Sequence, residues 1–395
     1  MKSVGIICEC NPFHEGHKYL ISRARKLGTD AIVCLMSGYF VQRGDAAIAD
    51  PYLRSKALLE GGADLVLELP FPYACAGAEF FADAGVDILS KLGVDELWFG
   101  SECGDLKRLS RAAEITLSED FVQRYTKSTS ANVGTAQAYF DALQAVCSGD
   151  TPFLSNDILG VSYLAALMKK QSAMRPVTVR REGCGYLDQT HCEGQYPSAT
   201  ALRCMIVEKG LDDVIPYLLP ETAGALQAAR ENGTLSADLA RAERAVLARL
   251  RLCDVGALNE IAELEGGLGN RLIETSKTAT SLEDLIFRSS TKKYPEARLH
   301  RGVLFAMTGV TRADLKATPA YVRVLAANPV GCSFLAQNRK NEAILTVTRQ
   351  SDIPVNEAAE RQTVLHERAV SFYALCLEQT ADACAILRKN ALILK

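Results

Sequence analysis

The stretch SVGIICECNPFHEGH, from Ser3 to His17, decides the fold of this chain. It joins a short apolar run, typical of a buried β-strand, to a polar loop and then to a helical pattern that continues to Leu27. Three similar apolar runs follow, separated by helical patterns: DAIVCLM (30–36), ADLVLELP (63–70) and DELWFGS (95–101). Strands that alternate with helices form parallel sheets, so the sequence predicts an α/β fold with a Rossmann-like parallel sheet.

The second half of the chain has a different pattern. VTVRR (177–181) is the last predicted strand, and helical patterns dominate after about residue 205. These patterns cover Ala223–Glu231, Ala237–Leu252, Leu258–Glu265, Ala297–Met307, Arg312–Leu325 and Asn356–Leu377. We therefore expect an α/β catalytic domain over residues 1–210 and an all-α C-terminal domain over residues 211–395, with the boundary in a proline-containing stretch near 208–222.

The composition is that of a globular protein. Of 395 residues, 48% are apolar and 23% are charged, which excludes a disordered, collagenous or fibrous chain. No run of 18 apolar residues is present, so no membrane span is expected. The first apolar run, Val4 to Cys8, is interrupted by Glu9 and is too short for a signal peptide. These features predict a cytoplasmic protein.

Thirteen cysteines are scattered along the chain without a C-x-x-C pair. Most are expected to be buried small hydrophobic residues, as in other cytoplasmic proteins. Those in apolar runs are Cys8, Cys34, Cys75, Cys204 and Cys376. The cluster CGYLDQTHC contains Cys184, His191 and Cys192, but it lacks the second ligand pair of a zinc site. We therefore predict no protein-held metal site.

The net charge of −3 is unevenly distributed. Residues 286–349 contain eleven Lys or Arg and three acids, so this segment carries +8 and the remainder −11. Such a block is typical either of a polyanion-binding surface or of a solvated helical face. Arg298, Arg301 and Lys293 are candidates for contacts with a phosphate backbone.

The clearest chemical motif is His14-Glu15-Gly16-His17, which directly follows the first predicted strand. Ligands of parallel α/β sheets bind beyond the carboxyl ends of the strands, and a helix start there offers free N–H groups. Two imidazoles three residues apart suit a phosphate, because fixed donors stabilise the charge that develops on a phosphoryl group. His14 and His17 are therefore the predicted catalytic residues.

A second motif, SATALR (198–203), lies about 180 residues later. Ser198 or Thr200 is a candidate N-cap, because a hydroxyl oxygen accepts from a free helix N–H. Arg203 would lie on the first turn of that helix, where a guanidinium suits the β- and γ-phosphates of a nucleotide. H-x-G-H and S-x-T-x-x-R together resemble the two motifs of the nucleotidyltransferase superfamily, in which a nucleophile attacks the α-phosphate of a nucleoside triphosphate.

The chain also resembles one family within this superfamily. NPFHEGH (11–17), MSGYFVQRGDAAI (36–48), ADLVLELP (63–70), FGSE (99–102), SNDILGVSYL (155–164), RREGCGYLD (180–188) and SATALR occur in the expected order. Together they are similar to the bacterial, cytoplasmic tRNA(Met) cytidine acetate ligase family. The resemblance continues through residues 281–310 and 323–331.

The resemblance implies a specific reaction. Acetate and ATP give acetyl-adenylate and pyrophosphate, and the acetyl group passes to N4 of the wobble cytidine of elongator tRNA(Met). ATP is the co-substrate, Mg²⁺ is expected with it, and no protein partner is implied. An all-helical basic domain over 211–395 would bind the tRNA.

The resemblance also implies the ATP contacts. They fall on Gly100, Asn156 and Arg181, and on the segment that follows the first strand. That segment comprises Ile7, Cys8, Glu9, Cys10, Asn11, Pro12, Phe13, His14, Glu15, Gly16, His17, Lys18, Tyr19 and Leu20. Thr200 and Arg203 join them through the second motif. From the residues alone, each of three positions has a structural alternative to an ATP contact. Gly100 fits a turn glycine, Asn156 fits a helix N-cap, and Arg181 fits a surface ion pair.

Three positions depart from the family pattern. Tyr39 replaces an asparagine, Leu187 replaces a histidine, and Glu182 replaces an apolar or neutral residue. Two other functions share some of these features. A small-molecule nucleotidyltransferase that makes a nucleotide-activated cofactor shares both motifs but needs no basic helical half. A non-catalytic RNA-binding protein would not need the histidine pair.

Overall fold

The computed structural model describes residues 1–130, 138–139, 141–143, 153–181, 197–338 and 343–394. Cys184, His191 and Cys192, and the departures at Glu182 and Leu187, lie outside these ranges. Within them, no helix is long and apolar enough to cross a membrane.

Five parallel strands form the predicted sheet. They are β1 (Ser3–Cys8), β2 (Ala31–Ser37), β3 (Leu65–Leu69), β4 (Glu96–Ser101) and β5 (Arg175–Arg180), in the order β5-β4-β1-β2-β3. The α/β fold with a mostly parallel sheet is therefore confirmed. The chain leaves β1 toward β2 on one side and returns later to β4 on the other, so the strand order reverses between β1 and β4.

Helices connect these strands and cover the sheet. In the first half they are α1 (Glu15–Lys26), α2 (Pro51–Glu60), α3 (Ala78–Lys91), α4 (Leu106–Thr116), α5 (Glu119–Ser130), α6 (Ser155–Lys169) and α7 (Ala199–Lys209). The helices α3 and α4 both pack against α6. All six residues of β1 and all seven of β2 are buried, as expected for strands covered on both faces.

The second half is largely helical. Its helices are α8 (Leu211–Val214), α9 (Pro220–Glu231), α10 (Glu243–Leu252), α11 (Leu268–Ser276), α12 (Leu282–Ser289), α13 (Glu296–Thr308), α14 (Arg312–Lys316), α15 (Pro329–Asn338), α16 (Glu357–Leu375) and α17 (Ala383–Leu387). The predicted helix over Leu258–Glu265 is a series of turns, with positive φ at Glu263, Gly266 and Gly267.

The expectation of an all-α C-terminal half is corrected by three strands. β6 (Tyr321–Ala327) pairs antiparallel with β3, and both β7 (Leu345–Val347) and β8 (Leu392–Ile393) pair parallel with β6. The predicted helix over Arg312–Leu325 ends at Lys316, just before Thr318-Pro319, and the chain resumes as a strand. The run YVRVLAA is buried along almost its whole length, so it has no helical periodicity of burial.

One hydrophobic cluster contains residues from both halves, from Ile7 to Ile386. The two halves thus share a core and a sheet. The division of the chain at residue 210 stays a prediction.

The cysteines of the described residues are free thiols. Cys8, Cys34, Cys75 and Cys376 are buried, as predicted, and Cys204 is half-buried.

Candidate active site

The loop that carries the histidine motif lies at the carboxyl end of β1, beside β4. It links β1 to α1, and His14 is the N-cap of α1. This is the point of the sheet where the strand order reverses, which is where open α/β sheets bind ligands. The backbone enters the loop through Cys10, whose φ is +45°, an uncommon value for a residue with a side chain.

The two histidines form a reciprocal cap at the start of α1. Nδ1 of His14 accepts from the backbone N–H of Gly16 at 3.0 Å, and Nδ1 of His17 accepts from the backbone N–H of His14 at 3.3 Å. A neutral imidazole whose Nδ1 accepts carries its proton on Nε2. Each ring therefore keeps an Nε2–H donor, and the ring centroids are 4.1 Å apart.

The surroundings keep both rings neutral. Burial, the neighbouring His17, and the charges of Arg181 and Arg203 lower the pKa of His14 well below its ordinary value. Burial lowers the pKa of His17 to about 4, with a further contribution from Arg181 and an opposing one from Cys8. At neutral pH the site therefore offers two uncharged N–H donors and two nearby guanidinium groups.

Contacts from three other parts of the chain fix the loop. Asn11 accepts at Oδ1 from the backbone N–H of Ile48 at 2.7 Å, and its own carbonyl accepts from Arg203 at 2.7 Å. The hydroxyl of Thr222, in α9, donates to the carbonyl of Phe13 at 2.7 Å. Nδ2 of Asn11 is buried and has no hydrogen-bond partner among the residues that the structure describes. The structure thus leaves one buried donor beneath the histidine loop.

The second motif lies against the same loop. Ser198 is the N-cap of α7 and accepts from the backbone N–H of Ala201 at 3.1 Å, so the predicted cap is confirmed at the first of its two candidates. Arg203 lies 3.4 Å from the hydroxyl of Thr200 and reaches the carbonyl of Asn11. The structure therefore joins the two motifs through one arginine.

Gly100 and Arg181 lie together at the ends of β4 and β5. A Cβ atom on Gly100 would lie 3.2 Å from Cγ of Arg181, so the glycine leaves room for the arginine side chain. The backbone N–H of Arg181 donates to the carbonyl of Ser101 at 2.9 Å. The charge of Arg181 lowers the pKa of both His14 and His17, so its guanidinium lies within electrostatic range of the two rings.

Asn156 is the second residue of α6, and Leu154 is the N-cap of that helix. The alternative prediction that Asn156 is the N-cap is therefore wrong. Its Nδ2 donates to Oε1 of Glu102 at 2.6 Å. Glu102 also accepts from the backbone N–H of Asp157, and Asp157 accepts from the backbone N–H of Glu102 and of Cys103. This exchange of bonds fixes the start of α6 to the end of β4.

The other residues of the histidine segment divide by burial. Ile7, Cys8, Cys10, Phe13 and Leu20 belong to the hydrophobic core, and they support the loop from below. Lys18 forms an ion pair with Glu221 at 2.7 Å. Glu9 accepts at Oε1 from the backbone N–H of Gln42, which connects the end of β1 to the turn after β2.

Arg54 is a structural residue that the sequence analysis missed. It is only 2% exposed, and its guanidinium donates to the carbonyls of Glu9, Ser37, Gly38 and Ala49. It thereby ties the end of β1 to the end of β2. Nothing in the helical pattern of 52–61 distinguishes this buried arginine from a solvated one.

The basic block differs from its sequence prediction. Arg298 and Arg301 both pair with Glu263, Arg298 also pairs with Glu265, and their side chains are only 12% and 16% exposed. Arg288, Arg312 and Arg323 likewise pair with acids from outside the block, namely Asp284, Glu260 and Glu68. Their internal ion pairs therefore disfavour Arg298 and Arg301 as contacts for a phosphate backbone.

Within the described ranges, no group of three or more His, Cys, Asp and Glu residues could hold a metal ion. A magnesium ion that arrives with ATP is bound largely by phosphate oxygens and water, and it needs few protein ligands. The structure thus assigns no protein ligand to magnesium.

Comparisons with known proteins agree with this geometry. A family model described as HIGH Nucleotidyl Transferase matches residues 1–385. The tRNA(Met) cytidine acetate ligase of Syntrophotalea carbinolica is 35% identical over 89% of this chain and 86% of its own length. That of Caldicellulosiruptor saccharolyticus is 35% identical over 95% of this chain and 94% of its own.

Two crystal structures of Thermotoga maritima TmcAL are also similar, and each match covers all of both chains. The apo form has a TM-score of 0.91 at 28% identity. The form bound with alpha-thio ATP has a TM-score of 0.89 at 26% identity.

Proposed function

This chain belongs to the tRNA(Met) cytidine acetate ligase family of HIGH nucleotidyl transferases and is a ligase. From that family membership we propose its reaction and its substrates. It activates acetate with ATP as acetyl-adenylate, releases pyrophosphate, and transfers the acetyl group to N4 of the wobble cytidine of elongator tRNA(Met). The product is N4-acetylcytidine. The observation that carries the proposal is the pair of neutral histidine donors at the reversal point of the sheet, where the charges of Arg181 and Arg203 help to lower the pKa of His14.

ATP lies over the segment Ile7–Leu20, with its α-phosphate at the Nε2–H groups of His14 and His17. These donors are fixed before the reaction by their backbone hydrogen bonds, so they stabilise the developing phosphoryl charge without reorganisation. Arg181 and Arg203 hold the β- and γ-phosphates, and Thr200 lies beside Arg203. Gly100 and Asn156 mark the nucleoside side of the site, at β4 and α6.

The acetate carboxylate attacks the α-phosphate, and pyrophosphate leaves. No protein nucleophile is needed, because the carboxylate oxygen forms the new bond to phosphorus itself. A magnesium ion bound to the phosphates of ATP would neutralise part of their charge. The residues of this chain position the phosphates and donate hydrogen bonds to them.

The tRNA binds across the C-terminal half. Its contacts fall on exposed cations of the basic block, such as Lys292, Lys316 and Arg349, rather than on the paired Arg298 and Arg301. Phosphate contacts of this kind make affinity fall steeply with salt.

A small-molecule nucleotidyltransferase would use the same histidine loop and is the main alternative. It would give adenylated products with a small acceptor and no modified RNA. A non-catalytic RNA-binding protein would show neither ATP turnover nor modification.

The test is an acceptor assay. Purified protein is mixed with Mg-ATP, isotope-labelled acetate and bulk bacterial tRNA, and the digested RNA is analysed by mass spectrometry. We expect label in N4-acetylcytidine, and its loss in His17→Ala. The control is Arg124→Ala, which removes only an exposed ion pair with Asp120 in α5 and should leave labelling unchanged. Acetate-dependent ATP–pyrophosphate exchange without labelled RNA would rule out the tRNA acceptor.

A further inference from the structure

A histidine–aspartate pair lies outside the histidine loop, where the turn after β2 meets α13. Oδ1 of Asp45 is 2.8 Å from Nδ1 of His300. The turn packs directly on the helix, because a Cβ atom on Gly44 would lie 2.6 Å from the backbone nitrogen of Arg301. The side chains of His300 and Asp45 remain 30% and 44% exposed, so solvent and ligands reach them.

The hydrogen bond fixes which ring nitrogen of His300 is basic. A carboxylate only accepts, so Nδ1 of His300 donates to Asp45, and the neutral ring keeps its lone pair on Nε2. This tautomer is opposite to that of His14 and His17, whose Nδ1 atoms accept from backbone N–H groups. In the described part of the chain, His14 and His17 are thus held as imidazole donors at Nε2 and His300 as an imidazole acceptor.

The pair lines an open cleft of about 1020 Å³. Arg203 and Ile48 also line this cleft, and both are hydrogen-bonded to Asn11 in the histidine loop. Two residues of the cleft wall therefore also hold the histidine loop in place. Phe287, which is 75% exposed, stands at the same cleft and offers an aromatic face to a planar ligand.

The charges around His300 come from three elements. Burial lowers its pKa, but the hydrogen bond and charge of Asp45 outweigh this effect, and Glu296 on α13 and Asp238 before α10 add to the increase. The net result is a pKa above the ordinary value. Arg301, the adjacent cation, is engaged by Glu263.

We propose that His300 is the general base of the acetyl-transfer step and that the cleft holds the acceptor base, with Asp45 as the positioning residue. The proposal rests on the function proposed above. N4 of the cytidine attacks the acetyl carbon, the bond from that carbon to the adenylate oxygen breaks, and its electron pair leaves with AMP. The proton lost by N4 passes to Nε2 of His300.

The net negative charge of the cleft favours binding of a nucleobase over binding of the phosphate backbone of an RNA. Seven of its described lining residues are acids, against the three arginines Arg203, Arg230 and Arg241. The carboxylates of Glu283 and Glu378 repel phosphates but can accept from an exocyclic amine. The nucleotide therefore enters base first, with its phosphates left outside.

The test separates the two half-reactions. In His300→Gln, acetate-dependent ATP–pyrophosphate exchange should stay within about twofold of wild type, whereas single-turnover transfer of labelled acetyl to tRNA should fall about 100-fold or more. In Asp45→Asn, the amide can donate to Nδ1 and thereby move the ring proton to Nε2, so transfer should fall similarly. The melting temperature of each variant shows whether it is folded.

The pH profile distinguishes a base from a structural residue. Wild-type transfer should rise with pH to a plateau above the pKa of His300, and His300→Gln should lose that rising limb. Glu296→Gln removes one charge that raises this pKa, so it should move the limb to lower pH with the plateau kept.

Two results would overturn the proposal. One is a rate of acetyl transfer by His300→Gln that stays within about threefold of wild type. If His300→Gln does not fold, the same result with a folded Asp45→Asn counts instead. The other is an equal loss of exchange and transfer. If the wild-type protein shows neither exchange nor labelled RNA, the proposed function itself fails.

Discussion

At the scale of single residues, the site depends on the protonation state of its imidazoles. His17 has a pKa of about 4, chiefly because it is buried, and its neutral form is the one that both caps α1 and donates from Nε2. Protonation at Nδ1 would break the cap. For acetate-dependent exchange, kcat/KM for ATP should therefore show no ionisation of His17 between about pH 5.5 and about pH 8, and activity should be lost as pH falls toward 4. A histidine that acts as a cation would instead lose activity as pH rises through about 6.5.

Gly16 provides a second test at this scale. A Cβ atom there would lie 2.8 Å from Cε1 of His14, so Gly16→Ala should displace the ring and break its bond to the helix N–H. We expect exchange activity to fall about tenfold or more with a small change in stability. The matched control is Gly224→Ala in α9, where a Cβ atom would meet no described atom within 4 Å beyond its chain neighbours and the backbone of its own helix. It should keep full activity and gain up to about 1 kcal/mol of stability from helix propensity.

The roles of some of these residues can be predicted from the sequence, and those of others cannot. H-x-G-H after a strand predicts a phosphate-binding loop, and Ser198 is visible as an N-cap. The direction of each imidazole is not visible, because it depends on which backbone N–H the ring meets. Arg54 is hidden for a related reason, since its partners are backbone carbonyls that leave no trace in the sequence.

At the scale of elements, a buried polar cluster links β3 to β6 and α16. Glu68 in β3 lies 3.7 Å from Arg323 in β6 and 3.8 Å from His366 in α16. Burial raises the pKa of Glu68 to about 7, against the opposing charges of Arg323 and Arg54. The folded state thus holds a proton on Glu68 over a range in which the unfolded chain has released it.

This shift predicts a pH dependence of stability. A pKa that is higher in the folded state contributes stability at low pH and loses it as pH rises toward 7. The stability of the wild-type protein relative to Glu68→Gln should therefore decrease between about pH 5 and about pH 7, by roughly 1.4 kcal/mol per pH unit at most. Chemical denaturation at several pH values measures it. A constant difference would show that Glu68 titrates normally.

Elements are predictable where their periodicity is strong. The parallel strands and most helices follow their sequence patterns, such as α13 at Glu296–Thr308 against a predicted 297–307. The helical pattern predicted over Arg312–Leu325 includes the first five residues of β6, because a short apolar run fits a buried helix as well as a buried strand. The pairing of β6 with β3 could not be predicted, because β3 lies far away in the sequence.

At the scale of the whole molecule, the two halves are joined through the sheet and through the core. β6 covers the edge of β3, and α9 packs against α2. We therefore expect a fragment of residues 1–210 to expose an apolar strand edge and to aggregate. Sedimentation and ATP-analogue binding of the fragment test this. A monomeric fragment that binds the analogue would show that residues 1–210 fold as an independent domain.

The antiparallel strand also sets an order of events during synthesis. β3 is complete once residue 69 has been made, but its partner begins only at residue 321. At ordinary translation speeds, roughly 5–20 residues per second, the gap lasts about 10–50 s. For that time the nascent chain carries an unpaired β-edge, which is open to pairing with other chains unless a ribosome-bound chaperone or the nearby helices cover it.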